Sequence, residues 1–253
     1  MDKKIERQNT NNQFGLIGRN ISYSFSQKYF SNKFSNEGLS NCSYKNFDLK
    51  SIEELHNVLK ENHNIKGLNV TIPYKEVIFP YLDKLSSKAK RIGAVNTIRV
   101  TKKGNLKGYN TDEYGFRKSL IPYLKKHHQK ALILGTGGAS KAIAFALKKL
   151  HIQYQFVSRS TNGSYNYDSL TPEIIAEHHL IINCTPLGTF PNIDDCPNIP
   201  YDAITNKHIL YDLIYNPEET TFLSKGKHKG AIAVNGAKML ELQAEKAWEI
   251  WNK

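Results

Sequence analysis

At 253 residues, 40% of them hydrophobic and 23% charged, the chain has the size and composition of a soluble globular protein of one large or two modest domains, which excludes a disordered or fibrous class. Its formal charge of +12 is dispersed, and the densest basic stretch, KGKHKG over 225–230, is short and lacks neighbouring aromatics, so the charge describes a surface that steers small anions rather than a nucleic-acid face. Cys42, Cys184 and Cys196 lack CxxC spacing, the histidines never take a metal-ligand spacing, and no apolar run approaches the ~18 residues of a membrane span or forms a leader, so reduced thiols, no metal, no membrane and a cytoplasmic location are expected.

The first part alternates strand-like FGLIG (14–18), KNFDL (45–49) and GLNVTI (67–72) with helical segments. In SIEELHNVLKEN (51–62), Ser51 and Glu54 make a capping-box pattern, and Ile52, Leu55, Val58 and Leu59 an apolar stripe. Side chains two apart share a strand face, so Asn69 and Thr71 are expected to point one way while Val70 and Ile72 turn toward a core. Pro73 ends the ladder and leaves Lys75 just beyond it, an amine on a rigid support. NTIRVTKKGNLKGYN (96–110) reads as a hairpin turning at Lys103-Gly104-Asn105.

KALILGTGGASKAIAFALKKL (130–150) joins an apolar strand to a helix marked by Ala142, Ile143, Phe145, Ala146 and Leu150 through a glycine turn, the parts of a dinucleotide site. Gly135 permits the tight turn, Gly137 lets backbone amides approach a pyrophosphate, and the helix start at Gly138 and Ala139 offers unpaired N–H groups to that anion. Ser140 stands where the commonest pattern has a third glycine. The next strand, YQFVSRS, ends in Ser158, Arg159 and Ser160 with no acidic residue to receive a ribose 2′-hydroxyl, which favours NADP over NAD. TNGSYNYDSL (161–170) is shorter and more polar than a usual crossover helix. LIINC, HILYDLIY and AIAVN continue a parallel α/β sheet. The final helix carries Met239, Leu240, Gln243, Ala247 and Trp251 on one face, where the Gln243 amide needs a partner, either a nearby carbonyl or a ligand.

Several motifs in order, GLIGRNISYSFS, NVTIPYKE, GAVNT, GYNTD, GTGGAS, VSRS, IINCTPLG, YDLIYNP and NGAKMLELQA, make nearly the whole chain resemble the shikimate dehydrogenase family. The resemblance implies two α/β domains: a discontinuous substrate-binding catalytic domain over 1–112 and 235–253, and a Rossmann-like NADP-binding domain with a parallel sheet over 113–234, with hinges near Asp112 and Asn235 and the active site between domains. It implies reversible NADPH-dependent reduction of 3-dehydroshikimate to shikimate, a step of chorismate and aromatic amino-acid biosynthesis, with Lys75 as proton donor and Asp112 as its carboxylate partner. Ser24 and Ser26 are carried over as donors to the substrate carboxylate, although both could equally cap a helix before Gln27. Thr71, Asn96, Asp112 and Gln243 are carried over as partners of the ring hydroxyls, Tyr215 and Gly236 as positions near substrate and nicotinamide, and Asn183, Thr185 and Met239 as cofactor contacts. Tyr23 and Gln27 replace the family's usual histidine and proline beside those serines.

Two alternatives accompany this expectation: a quinate/shikimate enzyme of broader specificity using NAD, and a catalytically silent NADP-binding protein on the same fold. Arg159 argues against the first, and the presence of Lys75 and Asp112 against the second. A small-molecule substrate and a monomer or homodimer are expected.

Overall fold

Parallel strands have to be joined by crossovers, and most of the parallel strands of this protein are separated by helices or long connections. The computed structural model describes residues 11–22, 24–159 and 164–253; Tyr23 and Ser160 lie outside them. By contact the described chain divides into two units, one holding the residues up to Arg91 with Val95–Tyr109 and Ala247–Lys253, the other Ile92–Ala94 with Asn110–Lys246.

The first unit contains β1 (Asn12–Gly18), α1 (Phe25–Asn36), β2 (Cys42–Asp48), α2 (Leu55–Glu61), β3 (Ile65–Val70), α3 (Tyr74–Val77), β4 (Lys84–Leu85), α4 (Ser87–Ile92, its last residue grouping with the second unit), β5 (Thr97–Val100) and β6 (Leu106–Tyr109). The sheet runs β2-β1-β3-β5-β6-β4, parallel from β2 to β3 and antiparallel through the β5–β6 hairpin. That hairpin turns where the sequence placed it, with Gly104 at φ +80, a backbone conformation glycine adopts without steric cost. The expected capping box at Ser51 does not form. The chain enters α2 through a 3-10 turn, Ile52–Glu54, and the Glu54 carboxylate accepts from the Lys50 amide at 3.3 Å instead. One face of the sheet buries Ile17, Leu55, Leu68, Ile78 and Ile98. An aromatic cluster comprises Phe14, Phe30, Phe34, Tyr44 and Trp251. Trp251 lies over Gly67, which leaves no room for a Cβ, and donates to Ile98 O at 2.9 Å.

The second unit contains α5 (Asp112–Leu120), β7 (Lys130–Leu134), α6 (Gly138–Lys149), β8 (Gln153–Ser158), β9 (Tyr165–Asn166), α7 (Pro172–Glu177), β10 (Leu180–Asn183), β11 (Ile209–Asp212), α8 (Thr221–His228), β12 (Ile232–Val234) and α9 (Ala237–Trp251) through Lys246. Its sheet is parallel throughout, in the order β12-β11-β10-β7-β8-β9. The chain winds outward from β7 to β9 and returns to the other side of β7 at β10, so the strand order reverses between β7 and β10. Ligands of open α/β sheets bind at such a reversal, outside the carboxyl ends of the strands. The central strands read as continuous apolar runs because both faces are covered, by Phe116, Ile143 and Leu147 on one side and Ile175, Phe222 and Leu223 on the other. By contact, residues 110–112 and 235–246, expected with the first domain, group with this unit. A Cβ on Gly115 would stand 2.5 Å from Met239 O and 3.0 Å from the Gln243 Cβ, so the glycine lets α5 and the first half of α9 approach closely.

Candidate active site

In the first unit the polar candidates collect where β1 and β3 end and β5 begins. Antiparallel pairing of Asn69 with Thr97 brings the start of β5 to the same margin of the sheet as the carboxyl ends of the parallel strands. Thr71 follows β3, its amide donating to Ile17 O at 2.9 Å, and its carbonyl accepts the Tyr74 amide at 2.9 Å, turning the chain into α3. Its methyl lies 2.5 Å from where a Cβ on Gly18 would stand, so the glycine closing β1 admits Thr71. Lys75, half-buried in the first turn of α3, accepts the Val95 amide at its carbonyl at 2.8 Å, which fastens the backbone carrying the amine to the approach of β5. Asn96 is buried; its carbonyl takes the Val70 amide at 2.8 Å and its Oδ1 the Thr97 hydroxyl at 3.1 Å.

Ser24 is the N-cap of α1, its hydroxyl accepting from the Ser26 amide at 3.3 Å, so the capping alternative is realised at that serine. The Ser26 side chain bonds the Tyr44 phenol, which donates to Asn69 Oδ1 at 2.8 Å. Burial raises the Tyr44 phenol well above its ordinary range, against the opposing Ser26 bond, so it stays a donor. Asn69 is therefore a buried support, its amide also reaching Asn96 O at 3.4 Å. Ile72 departs from expectation: it is 68% exposed, because β3 stops at Val70 and the chain has already left the sheet.

In the second unit the candidates lie at the carboxyl ends of four strands and at two helix starts. Asp112 is buried in the first turn of α5, where negative charge meets the positive end of the helix dipole. The preceding Thr111 hydroxyl donates to Gln243 Oε1 at 3.4 Å, and Gln243 Nε2 donates to Leu240 O at 3.0 Å, so the nearby-carbonyl alternative holds for part of that amide. Gly135 after β7 has φ +102, a conformation that strains any side chain, and a Cβ there would stand 3.2 Å from the Thr185 methyl after β10. Gly137 has open space where a Cβ would be, and no side chain caps α6. The first-turn amides of Gly138, Ala139 and Ser140 therefore have no intrahelical acceptor. The Ser140 hydroxyl donates to Gly137 O at 2.6 Å, which accounts for a serine at the third glycine position. Ser158 is buried at the end of β8 and Arg159 beside it is exposed. After β12, the Gly236 amide donates to Ile214 O at 2.9 Å with Leu213 O too close for a Cβ, and Met239 is buried in the core.

Asn183, fully buried at the end of β10, accepts at Oδ1 from the Thr185 amide (3.0 Å) and hydroxyl (2.6 Å), and donates from Nδ2 to Leu187 O (3.3 Å) and Asp212 Oδ1 (3.1 Å). Asp212 was not among the expected site residues. Fully buried at the end of β11, it also accepts from the Ile214 amide at 3.0 Å and the Thr220 hydroxyl at 2.7 Å. Burial pushes its carboxyl up to about 6, against the three hydrogen bonds that lower it. The available signal was an aspartate closing an otherwise apolar strand, ILYD, since a buried charge persists only with partners. Tyr215, half-buried, lies in the loop between these two anchors.

A doubly wound parallel sheet with a glycine turn and an open helix start at its reversal, joined in one chain to a mixed α/β unit that gathers hydroxyls, amides and an amine at a strand margin, defines a Rossmann-like, two-unit α/β protein. Residues 16–98 match the family described as shikimate dehydrogenase substrate binding domain. The shikimate dehydrogenase (NADP(+)) of Methanosphaera stadtmanae is 39% identical over 258 residues, covering 94% of this chain and 90% of that protein. Among solved structures, the shikimate dehydrogenase of Aquifex aeolicus superposes with a TM-score of 0.85 at 33% identity, covering 96% of this chain and 92% of its own. That of Thermus thermophilus in complex with NADP(H) and shikimate does so with a TM-score of 0.83 at 31% identity, covering 95% and 93%. The chain belongs to the shikimate dehydrogenase family.

Proposed function

We propose that this chain catalyses the reversible, NADPH-dependent reduction of 3-dehydroshikimate to shikimate in the cytoplasm, as a step toward chorismate and the aromatic amino acids. The observation that carries this reading is that one chain holds both halves of such a site: Lys75 with Thr71, Asn96 and Ser26 at one strand margin, and the Gly135–Gly138 turn with Arg159 at another.

NADP fits the residues present. The open space at Gly137 and the first-turn amides of α6 suit a pyrophosphate, and the exposed Arg159 suits a 2′-phosphate. Ser158, Asn183, Thr185, Gly236 and Met239 complete the assigned cofactor positions. When bound, NADP supplies the hydride donor and acceptor. Reduction of a ketone builds negative charge on oxygen, and Lys75 is assigned to deliver the proton there; Asp112 is the carboxylate that the family resemblance pairs with it. Ser24 and Ser26 are assigned to the substrate carboxylate, and Thr71, Asn96, Tyr215 and Gln243 to its hydroxyl-bearing ring. The assigned division of labour is a substrate domain over 1–112 and 235–253 and a cofactor domain over 113–234.

Following nicotinamide absorbance with shikimate or quinate, each with NADP or NAD, tests the reading. Turnover of shikimate with NADP is expected to dominate. A preference for quinate with NAD would move the assignment to the broader enzyme, and no turnover with any pair would overturn it.

A further inference from the structure

Asp212 and Asn183 end neighbouring strands of the second sheet, paired in register, and both are fully buried. An ionised carboxylate only accepts hydrogen bonds, whereas an amide both donates and accepts. With Asp212 Oδ1 in front of it, the Asn183 side chain is compelled to present Nδ2 to that oxygen and therefore Oδ1 to Thr185. That orientation fixes the turn after β10: the Thr185 hydroxyl, held by Asn183, accepts the Leu187 amide at 3.3 Å, and the Thr185 methyl faces Gly135. The same carboxylate also holds both ends of the loop after β11, the Ile214 amide at the Oδ1 it shares with Asn183 and the Thr220 hydroxyl at Oδ2, and Thr220 in turn caps α8 by accepting the Leu223 amide at 3.3 Å. One buried charge thus sets the loops after β10, which borders the sheet reversal, and after β11 beside it. Tyr201, on the 3-10 turn Tyr201–Ala203, is the titratable neighbour that senses this charge, its phenol raised by burial first, then by Cys196, and by Asp212.

We infer that Asp212 is a positioning residue for the cofactor end of the site: it touches neither substrate nor cofactor, and it holds the Thr185 turn and the Tyr215 loop in binding geometry through Asn183, Ile214 and Thr220. This rests on the functional reading above. Loss of its charge weakens NADP binding most, through the Thr185 turn, and shikimate binding only slightly through Tyr215, because a neutral side-chain oxygen still accepts the Ile214 amide that holds the start of that loop. The carboxyl lies near 6, so the ionised, orienting form predominates at alkaline pH and gives way to a neutral acid below it. Asparagine mimics that neutral acid, which makes Asp212→Asn the informative variant.

The test is calorimetric NADP binding to wild type and D212N across pH, with the shikimate KM beside it. The Kd ratio of D212N to wild type is expected to be about tenfold at alkaline pH, the difference between a charge-assisted and a neutral hydrogen bond, and to shrink toward unity as pH falls through about 6. Titration of the NADP phosphate itself cancels in this ratio. The shikimate KM is expected to stay within roughly twofold. A ratio of unity at alkaline pH, a ratio that does not change with pH, or an equal rise in the shikimate KM overturns the inference. Should D212N fail to fold, Thr220→Val removes a donor to the carboxylate and must move the acid limb of NADP binding to higher pH, whereas an unmoved profile overturns the inference equally. If wild type binds NADP but does not oxidise shikimate, the functional reading falls while the Kd ratio still decides the role of Asp212.

Discussion

At the margin of the first sheet, Asn69 is held by Tyr44, Thr97 and the Asn96 carbonyl, all neutral groups; at the margin of the second, Asn183 is held by the carboxylate of Asp212. Both supports stand behind loops that carry candidate site residues, yet they fix an amide by different means. In the first, a phenol whose proton burial retains is a permanent donor to Asn69 Oδ1. In the second, orientation depends on a group that titrates near 6. The difference teaches that the support behind the Lys75 margin is insensitive to pH in the working range, while the support behind the Thr185 turn is tied to the charge state of one acid.

The comparison is sharpened first at the amine. Lys75→Ala should lower turnover by roughly 10² or more with NADP affinity unchanged, read by steady-state kinetics beside calorimetry, because a proton-transfer group contributes to the reaction and not to cofactor binding. Turnover that survives would remove Lys75 from the chemistry and leave the first margin without a catalytic purpose.

Arg159→Ser probes the other end. It should weaken NADP by about tenfold and leave NAD affinity unchanged, the loss of one charge-assisted contact to a 2′-phosphate. Equal weakening of both cofactors would show that Arg159 does not read that phosphate.

Tyr44→Phe strikes the neutral support and strands Asn69 Oδ1 without its phenolic donor. A cost of about 1–3 kcal/mol in unfolding free energy is expected, the same between about pH 5 and 9, since neither partner titrates there. A cost that changes with pH over that range would break the contrast between the two margins.

The smallest effect is expected at the opposite, amino-terminal margin of the second sheet. There His128, His179 and His208 precede β7, β10 and β11, with ring centroids 4.1 Å apart for His127–His128, 5.3 Å for His127–His179 and 5.2 Å for His179–His208. Burial lowers His128, His178 and His208, with neighbouring histidines and Lys125 or Lys130 adding to the effect against hydrogen bonds to backbone carbonyls. A histidine lowered in the folded state contributes stability that is present above its ordinary value of 6.5 and lost as pH falls through the folded one. Thermal unfolding should therefore show a stability loss on acidification below about pH 6.5 that is shallower in His128→Asn; an identical slope would assign the loss elsewhere. Asp212 works with the opposite sign: raised in the folded state, it contributes stability present below 3.8 and lost as pH rises through about 6.

Much of this organisation is written locally. The apolar runs around 130–134, 180–183 and 209–212 fall in buried parallel strands, and Gly104 and Gly135 sit at positive φ, where glycine alone carries no steric penalty. Lys75, Asn96 and the glycine turn each fall at a strand end or helix start, whereas Thr71, expected within the strand, lies just past its end. Ile72 failed because alternation holds only inside a strand, and the strand had ended. Ser51 failed because its side chain makes no cap hydrogen bond and the Glu54 carboxylate turns to the Lys50 amide instead, a choice between local partners that the pattern alone does not make.

Strand positions, turn chemistry and the glycine-rich helix start follow from sequence by itself, because periodicity and backbone freedom act over a few residues. Which buried polar groups hold those segments in place was decided by tertiary structure. Asp212 is 29 residues from Asn183, and Tyr44 is 25 from Asn69. Nothing local to either partner announces the other, since a hydrogen bond between distant residues exists only once the sheet has brought their strands side by side.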